Sequence, residues 1–368
     1  MSDVTFECET MQPPMGVRPG REPFLSVIVP VRNEARFIGA TLDQLLGQHY
    51  DPRRFEILVA DGGSTDGTQD IVADYAARHR QVRLLDNPGR LSSAGRNVAV
   101  RASRGELVLL VDGHCRLDDP WHLAEVASAF ARSDADCLGR PQSLDVTGAS
   151  ALQRAAAAAR ASRLGHHPSS HIYSGDEGFV PPQSVAVAYR RSVFETVGLF
   201  DEAFDACEDV EFNHRAARAG LRCFFTPRVQ VHYHPRGTLA GLFRQMTRYG
   251  RGRVRLLRKH PDSFSLPGFL PAAFLCGVAL GPLTAMCHPL LGWAYASVLG
   301  LYTLVLLLFS VALCIRRRDP ALLPLLPAVF ATIHAGAGWG VLCEAFAGRK
   351  PAAPAPVLSG AVTRRQAA

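Results

Sequence analysis

The chain has 368 residues, of which 48% are hydrophobic and 20% are charged, and its formal net charge is +7. This length accommodates one large α/β domain plus a further module, and the composition excludes both a disordered chain and one built only of membrane helices. No CxxC pair occurs among the nine cysteines, and the N-terminal sequence has no signal-peptide core. A first domain that stays in the reducing cytoplasm is therefore expected.

The N-terminal half alternates between short apolar runs and amphipathic patterns. The runs predict buried strands at Leu25–Val31, 55–60, 82–85 and 107–111. The patterns between them predict helices at 35–46, Thr68–Arg78 and 94–103. Strands that alternate with helices predict a mainly parallel sheet covered by helices, which is an α/β fold.

Polar residues follow the predicted strands at the end where ligands bind in such sheets. They include Asn33 and Glu34 after the first strand, Asp61 and Ser64 after the second, and Asp112 and His114 after the last. The segment after the first strand reads PVRNEARF and holds no GxGxxG, and the chain has no GxxxxGK[ST] loop. Nicotinamide-dinucleotide binding and a P-loop are therefore not expected.

A divalent cation is the alternative way to hold a diphosphate. Asp112 and His114 are separated by one residue at an extended strand end, so their side chains point to the same side. A hydrogen-bonded turn remains the alternative interpretation of this D-x-H. Likewise, Asp61 and the run GGSTDGT form either a capped turn or, together with that turn, an acceptor for a nucleobase N–H.

An acidic pair, Glu208 and Asp209, precedes a helical pattern at 210–219. Negative charge is favoured at a helix N-terminus, and this placement alone would explain the pair. The functional hypothesis is that one of the two carboxylates is a general base for an acceptor hydroxyl.

Five motifs occur in a fixed order, and together they are far more specific than any one of them. They are VPVRNE, ADGGSTDGT, SSAGRNVA, LVLLVDGH and GLFDEAFDACEDVEFNHRAARAG. In this order they resemble the family 2 inverting glycosyltransferases of the GT-A fold, and most of all the succinoglycan-type exopolysaccharide glucosyltransferases, which also carry D-x-H and a membrane tail.

The resemblance implies roles for the matched positions. The donor nucleotide site would comprise Pro30, Asn33, Glu34, Asp61, Ser64, Arg96, Asn97 and Asp112. Asp112 and His114 would bind a Mg²⁺ or Mn²⁺ ion, with His114 standing where most members have Asp. Asp209 is the expected base beside Glu208, and Gln245, Arg248 and Tyr249, which resemble a Q-x-x-R-W signature with Tyr for Trp, would meet the acceptor and the leaving diphosphate.

The C-terminal part is apolar and follows a basic belt. Predicted spans lie at 269–287, 293–315 and 321–341, and seven cationic residues between positions 244 and 259 precede them. The belt favours anionic headgroups or a lipid diphosphate over nucleic acid, which is not an expected partner. The positive-inside rule fits two spans, because a third would export the cations after position 348. Either the third segment is re-entrant or the tail lies outside, so the number of spans stays open. An interfacial helix whose Leu242, Phe243, Met246 and Tyr249 meet the membrane is the alternative to an acceptor role for this segment.

The predicted organisation has five parts. They are a disordered N-terminus at 1–23, a GT-A catalytic domain at 24–235, a basic interfacial helix at 236–262, a transmembrane region at 263–346 and a flexible tail at 347–368. The expected activity is metal-dependent transfer of a hexose, by resemblance glucose from a UDP-sugar, to a lipid-linked saccharide acceptor at the inner or plasma membrane. The alternatives are a polyprenyl-phosphate glycosyltransferase, a processive polysaccharide synthase and a non-catalytic membrane scaffold.

Overall fold

A computed structural model describes residues 22–166, 171–173 and 175–348. Its strands are β1 Leu25–Val31, β2 Phe55–Asp61, β3 Val82–Asp86, β4 Leu107–Leu110, β5 Cys115–Arg116, β6 Cys137–Gly139, β7 Gln142–Leu144, β8 Gly178–Val180, β9 Ala186–Arg190, β10 Cys223–Phe225 and β11 Val231–Tyr233. Its α-helices are α1 Ile38–Leu46, α2 Thr68–Arg78, α3 Ser92–Ala102, α4 His122–Ser133, α5 Ala151–Arg160, α6 Arg191–Val197, α7 Glu208–Arg218, α8 Leu239–Lys259, α9 Leu266–Cys287, α10 Pro289–Arg317 and α11 Leu326–Phe346. Most of the two predicted terminal segments, residues 1–21 and 349–368, lies outside the described residues.

A mixed, mainly parallel sheet forms the centre of the catalytic part, in the strand order β3-β2-β1-β4-β9-β6-β10-β8. β1 runs parallel to both β2 and β4, with Leu25 in register with Phe55 and Leu107. The carboxyl ends of these three strands therefore lie at one edge, where the sequence placed the polar residues. The predicted fold class is confirmed.

The inner strands are apolar throughout because helices cover both faces of the sheet. Val27 and Val29 face a cluster that includes Leu42 of α1 and Phe130 of α4. On the opposite face, alternate strand residues join an aromatic cluster that holds Phe194, Phe200, Phe212 and Tyr189. Each fully buried side chain of this size stabilises the fold by roughly 1.5–3 kcal/mol relative to exposure.

A second, three-stranded sheet has the order β5-β11-β7. In it Tyr233 pairs with Cys115 and Leu144. Because Cys115 lies just beyond the D-x-H segment, this small sheet brings a residue far along the chain next to Asp112.

Three predicted helix starts differ from the structure, and one of these helices, α3, begins at Ser92, two residues before the predicted position 94. The first helix begins at Ile38 and not at position 35, because Thr68 Oγ1 and Asp66 Oδ2 accept hydrogen bonds from the backbone N–H groups of Glu34 and Ala35. These contacts hold the segment in a loop. The acidic pair lies inside the first turn of α7 rather than before it.

The C-terminal part contains α8 and three helices, α9, α10 and α11, that are long and apolar enough to cross a membrane. Leu242 and Met246 of α8 are 1% and 5% exposed and pack against α5 and α11. The alternative that these two side chains meet the membrane is therefore wrong, since protein covers this face of the helix. The five-part division of the chain remains a prediction.

Candidate active site

A cleft of about 830 Å³ opens at the carboxyl edge of the main sheet, between the strand ends and helices α5, α7 and α8. The predicted site residues that line it are Pro30, Glu34, Arg96, Asp112, His114, Glu208, Asp209, Gln245, Arg248 and Tyr249. Strand-end residues, the acidic pair and the α8 residues, which lie far apart in the sequence, thus share one cavity. The predicted residues that do not line the cleft are Asn33, Asp61, Ser64 and Asn97.

Asp61 is 2% exposed and organises the turn that follows β2. Its Oδ1 accepts hydrogen bonds from the N–H groups of Gly63 and Ser64 and from Gln69, and its Oδ2 accepts one from the Ser64 hydroxyl. Burial raises the pKa of Asp61, but these hydrogen bonds outweigh it and place the pKa below its ordinary value. The capped-turn interpretation therefore describes this segment of the structure.

Asn33 and Ser64 join the loops that follow β1 and β2. Ser64 Oγ accepts from the Asn33 N–H at 2.8 Å, and Asn33 Oδ1 accepts from the Thr65 N–H at 2.9 Å. Asn33 has φ +58°, in the left-handed region that Asn tolerates better than most residues. These contacts fix the conformation of the loop that contributes Arg32 and Glu34 to the cleft, although Asn33 and Ser64 do not line the cleft themselves.

Asn97 is fully buried and ties α3 to the segment before α7. Its Nδ2 donates to Phe200 O and Glu202 Oε1, and its Oδ1 accepts from the Phe200 N–H. With donor and acceptor both occupied in this way, Asn97 positions the segment that leads to the acidic pair.

Asp112 and His114 both face the cleft, as the D-x-H spacing predicted. His114 Nδ1 lies 2.9 Å from Glu34 Oε1, and since a carboxylate can only accept here, Nδ1 is the donor; in the neutral imidazole Nε2 then keeps its lone pair. Burial lowers the pKa of His114, but Glu34 and the charge of Asp112 outweigh it and raise the pKa above its ordinary value. Asp112 Oδ2 accepts a hydrogen bond from the Tyr233 hydroxyl at 3.1 Å.

Arg96 is a buried cation, 8% exposed, between the two acidic regions of the cleft. Its guanidinium nitrogens lie 3.1 Å from Glu208 Oε1 and 3.7 Å from Asp112 Oδ1. Burial alone would lower the pKa of Arg96, but the surrounding carboxylates raise it, so the side chain stays charged. Burial alone would raise the pKa of Asp112, but Arg96 and His114 together hold that pKa below its ordinary value.

The two carboxylates of the acidic pair differ in their surroundings. Glu208 is 7% exposed and is engaged by Arg96, while burial raises its pKa above the ordinary value. Asp209 is only partly buried and accepts a hydrogen bond from the Val210 N–H through Oδ1. Asp209 is therefore the carboxylate of this pair that is more open to an incoming group.

The far end of the cleft is formed by α5 and α8. Gln245 donates to the Tyr249 hydroxyl at 3.3 Å, and Arg248 donates to the backbone carbonyl of Asp205. The Arg160 guanidinium lies 5.8 Å from the centre of the Tyr249 ring. This end is cationic and aromatic, while the strand-end side combines the carboxylates of Glu34 and Asp112 with Arg32, Arg90 and Arg96.

Many residues that line the cleft were not predicted as site residues, among them Tyr233 and Arg160. Tyr233 is in a three-residue strand, and Arg160 ends an alanine-rich helix, so neither position belongs to a motif or follows a strand of the main sheet. Both reach the cleft only through long-range contacts.

The cleft therefore has the parts required for group transfer from a phosphorylated donor. A carboxylate and an imidazole can hold a cation, a buried arginine can stabilise anionic charge, and a separate carboxylate can take a proton.

Comparison with known proteins agrees with this chemistry. A family model described as "Glycosyl transferase family 2" matches residues 26–198. The Succinoglycan biosynthesis protein ExoA of Rhizobium meliloti (strain 1021) is 32% identical over 296 residues, which cover 80% of this chain and 87% of that protein. A second relative, of Methanococcus voltae, is 22% identical over 86% of this chain and 95% of its own length, and its name is dolichyl N-acetyl-alpha-D-glucosaminyl phosphate 3-beta-D-2,3-diacetamido-2,3-dideoxy-beta-D-glucuronosyltransferase.

Among solved structures, the mannosyltransferase PcManGT from Pyrobaculum calidifontis, in complex with GDP-Man and Mn²⁺, aligns with a TM-score of 0.59. The alignment covers 91% of each chain at 20% sequence identity, and at this identity it shows a shared fold.

Proposed function

Because this chain belongs to the family 2 glycosyltransferases, we propose that it transfers a hexose from a nucleotide-diphosphate sugar to a lipid-linked saccharide acceptor at a membrane. The observation that carries the proposal is that Asp112, His114 and Asp209 line one cleft although nearly a hundred residues separate the first two from the third. Glucose and UDP are the proposed sugar and nucleotide, by resemblance to the succinoglycan-type enzymes.

The residues at the D-x-H position fit a divalent cation. His114 is oriented through Nδ1 by Glu34, a pattern in which the second ring nitrogen serves as a metal ligand, and Asp112 supplies a carboxylate held ionised by its neighbours. Carboxylate and imidazole together suit Mn²⁺ as well as Mg²⁺. When bound, such an ion neutralises the diphosphate of the donor.

In the proposed reaction, the acceptor hydroxyl gives its proton to the Asp209 carboxylate. The acceptor oxygen forms a bond to the anomeric carbon as the bond from that carbon to the diphosphate oxygen breaks, which inverts the configuration and releases the nucleoside diphosphate. Arg96 keeps Glu208 ion-paired and adds positive charge beside Asp112, where the leaving group carries its charge.

The acceptor is proposed to enter from the far end of the cleft. Gln245, Arg248 and Tyr249 line this end with Arg160, and α8 connects it directly to the apolar helices. Guanidinium groups pair well with phosphate oxygens, which suits an acceptor carried on a lipid phosphate or diphosphate. The catalytic part is proposed to lie on the cytoplasmic side of a multi-pass inner-membrane or plasma-membrane protein.

The test is to incubate membranes that contain the chain with a panel of radiolabelled nucleotide sugars and to extract the lipids. A single nucleotide sugar should label the lipid fraction, and the labelling should require a divalent cation. A long polymer would identify a processive synthase, and label on polyprenyl phosphate without a saccharide acceptor would identify the alternative transferase. No transfer from any donor, with the chain folded, would reject the proposal in favour of a scaffold.

A further inference from the structure

Helix α11 is long and apolar enough to cross a membrane, yet its contacts place it elsewhere. The preceding helices α9 and α10 form an antiparallel pair: the Tyr295 hydroxyl donates to Val278 O, and the Phe274 and Tyr302 rings lie 4.3 Å apart. The start of α9 and the end of α10 consequently lie on one side of the pair. This is the side of the catalytic part, since Arg154 of α5 is paired with Asp319 at 2.9 Å.

Both halves of α11 contact this same side. Its first half packs with the C-terminal half of α10, in a cluster that includes Phe330 with Leu306 and Leu313. Its second half packs with the first turns of α9, where Val341 meets Ala272. A helix that crossed the membrane from the end of α10 would finish beside the far end of α9, and α11 finishes beside its beginning.

Helix α8 runs along α11 and carries too much charge to lie in hydrocarbon. Cβ atoms built on Gly336 and Gly340 would lie 2.8 Å from the Phe243 carbonyl oxygen and 2.1 Å from that of Thr247, so the two backbones are in close contact. Further along, Arg255 pairs with Glu344 at 2.9 Å, and Arg258 donates to the carbonyls of Glu344, Ala345 and Ala347. Each Arg or Lys at a bilayer centre costs roughly 2.5–3.5 kcal/mol on insertion scales, and α8 has seven.

The exposed face of α11 is apolar. Trp339 is 51% exposed and Phe346 is 87% exposed on this face. Tryptophan is enriched where a membrane meets water.

We propose that α11 lies on the membrane surface on the catalytic side, with α8 above it and Trp339 and Phe346 in the lipid, so that the chain crosses the bilayer twice. The chain after α11 then stays on the catalytic side, in agreement with the positive-inside rule for the cations that follow position 348. If the proposed function holds, the α8 end of the cleft is kept at headgroup level, where a lipid-linked acceptor reaches it without leaving its leaflet.

The test is labelling of the full-length chain in spheroplasts with a membrane-impermeant maleimide, read by peptide mapping. The reporters are native Cys287, which is exposed at the end of α9, and Gly348→Cys after α11. Ala321→Cys, exposed between α10 and α11, is the matched control for membrane integrity. Cys287 should be modified in intact spheroplasts, whereas the cysteines at 348 and 321 should be modified only after permeabilisation.

Modification of Gly348→Cys before permeabilisation would overturn the proposal, because α11 would then cross the membrane. Modification of none of the three before permeabilisation would overturn it as well, since α9 and α10 would not reach the far side. The labelling needs neither a donor nor an acceptor. A result against the placement of α11 can therefore be distinguished from a result against the proposed transferase activity.

Discussion

At the scale of single residues, the acidic pair at the start of α7 divides into two roles. Arg96 engages Glu208, and Asp209 is left more open to the cleft. Asp209→Asn should therefore bind the donor nucleotide as the parent protein does but lose transfer by roughly 100- to 10,000-fold, which is the usual contribution of a general base. Donor binding by calorimetry and turnover by radiolabel transfer would separate the two effects.

A matched control for that variant is Glu195→Gln, an exposed carboxylate on α6 that should change neither binding nor turnover. Undiminished turnover in Asp209→Asn would remove this residue from the mechanism. A loss of donor binding as large as the loss of turnover would assign Asp209 to binding instead.

His114 allows a test of the proposed cation site. His114→Ala removes a ligand, so a higher concentration of Mn²⁺ should be required for donor binding, by about tenfold or more. His114→Asp restores the carboxylate found in most family members and should shift the preference toward Mg²⁺, a harder ion that favours oxygen ligands. Metal titrations of donor binding that coincide for all three proteins would exclude His114 from the site.

The part of the site that follows the strands could be predicted because parallel strands bring their carboxyl ends to one edge. The prediction that Asp112 and His114 face the cleft required only their spacing at a strand end and this strand topology. Tyr233 and Arg160 could not be predicted, because their approach depends on a second sheet and on the docking of α5 against α8. Asp61 and Asn97 were assigned to the nucleotide site by resemblance; in the structure Asp61 caps its own turn and Asn97 bonds to Phe200, and their role toward the donor stays a prediction.

At the scale of elements, α8 braces the segment that carries the acidic pair. A Cβ on Gly252 would lie 2.6 Å from Cys207 Sγ and 2.9 Å from Ala206 O, immediately before Glu208. Gly252→Ala should push this segment away, at a cost of about 1–3 kcal/mol, and lower kcat while the KM for the donor changes little. Gly300→Ala in α10, where no atom lies within 4 Å of the new Cβ, is the matched control and should behave as the parent.

Equal effects of the Gly252 and Gly300 substitutions would contradict the bracing role, because the first is crowded and the second is not. A fall in donor affinity without a fall in kcat would contradict it as well, since the crowding is at Ala206 and Cys207, next to the proposed base and not at the proposed cation site.

The elements differ in how well the sequence predicts them. β1 and α2 were predicted with their observed limits, because burial on both faces and an amphipathic stripe leave clear patterns. The sequence did not predict what covers the apolar face of α8, because an apolar stripe beside arginines has the same sequence pattern whether lipid or protein covers it. Here α5 and α11 cover the stripe, and close helix contacts through glycines decide the matter.

At the scale of the whole molecule, a buried charge network joins α7, which carries the acidic pair, to the end of α8, just before the first of the three long apolar helices. Glu211 is fully buried and contacts Arg215 at 2.9 Å, Lys259 at 2.9 Å and His260 at 3.0 Å. Burial would raise the pKa of Glu211, but these partners lower it to about 2 from an ordinary value of 4.5. The carboxylate therefore contributes to folding as an anion.

Glu211→Gln should accordingly lower the free energy of unfolding at neutral pH, by on the order of 3 kcal/mol from the pKa difference. Because the folded pKa is depressed, the contribution is complete above about pH 4.5 and is lost as the pH falls toward about 2. Thermal unfolding of the detergent-solubilised chain should show the largest gap between parent and variant at neutral pH, narrowing below about pH 4.5. Glu195→Gln should leave the unfolding temperature unchanged across the range. A gap that stayed constant down to low pH would mean that Glu211 acts through packing and not through its charge.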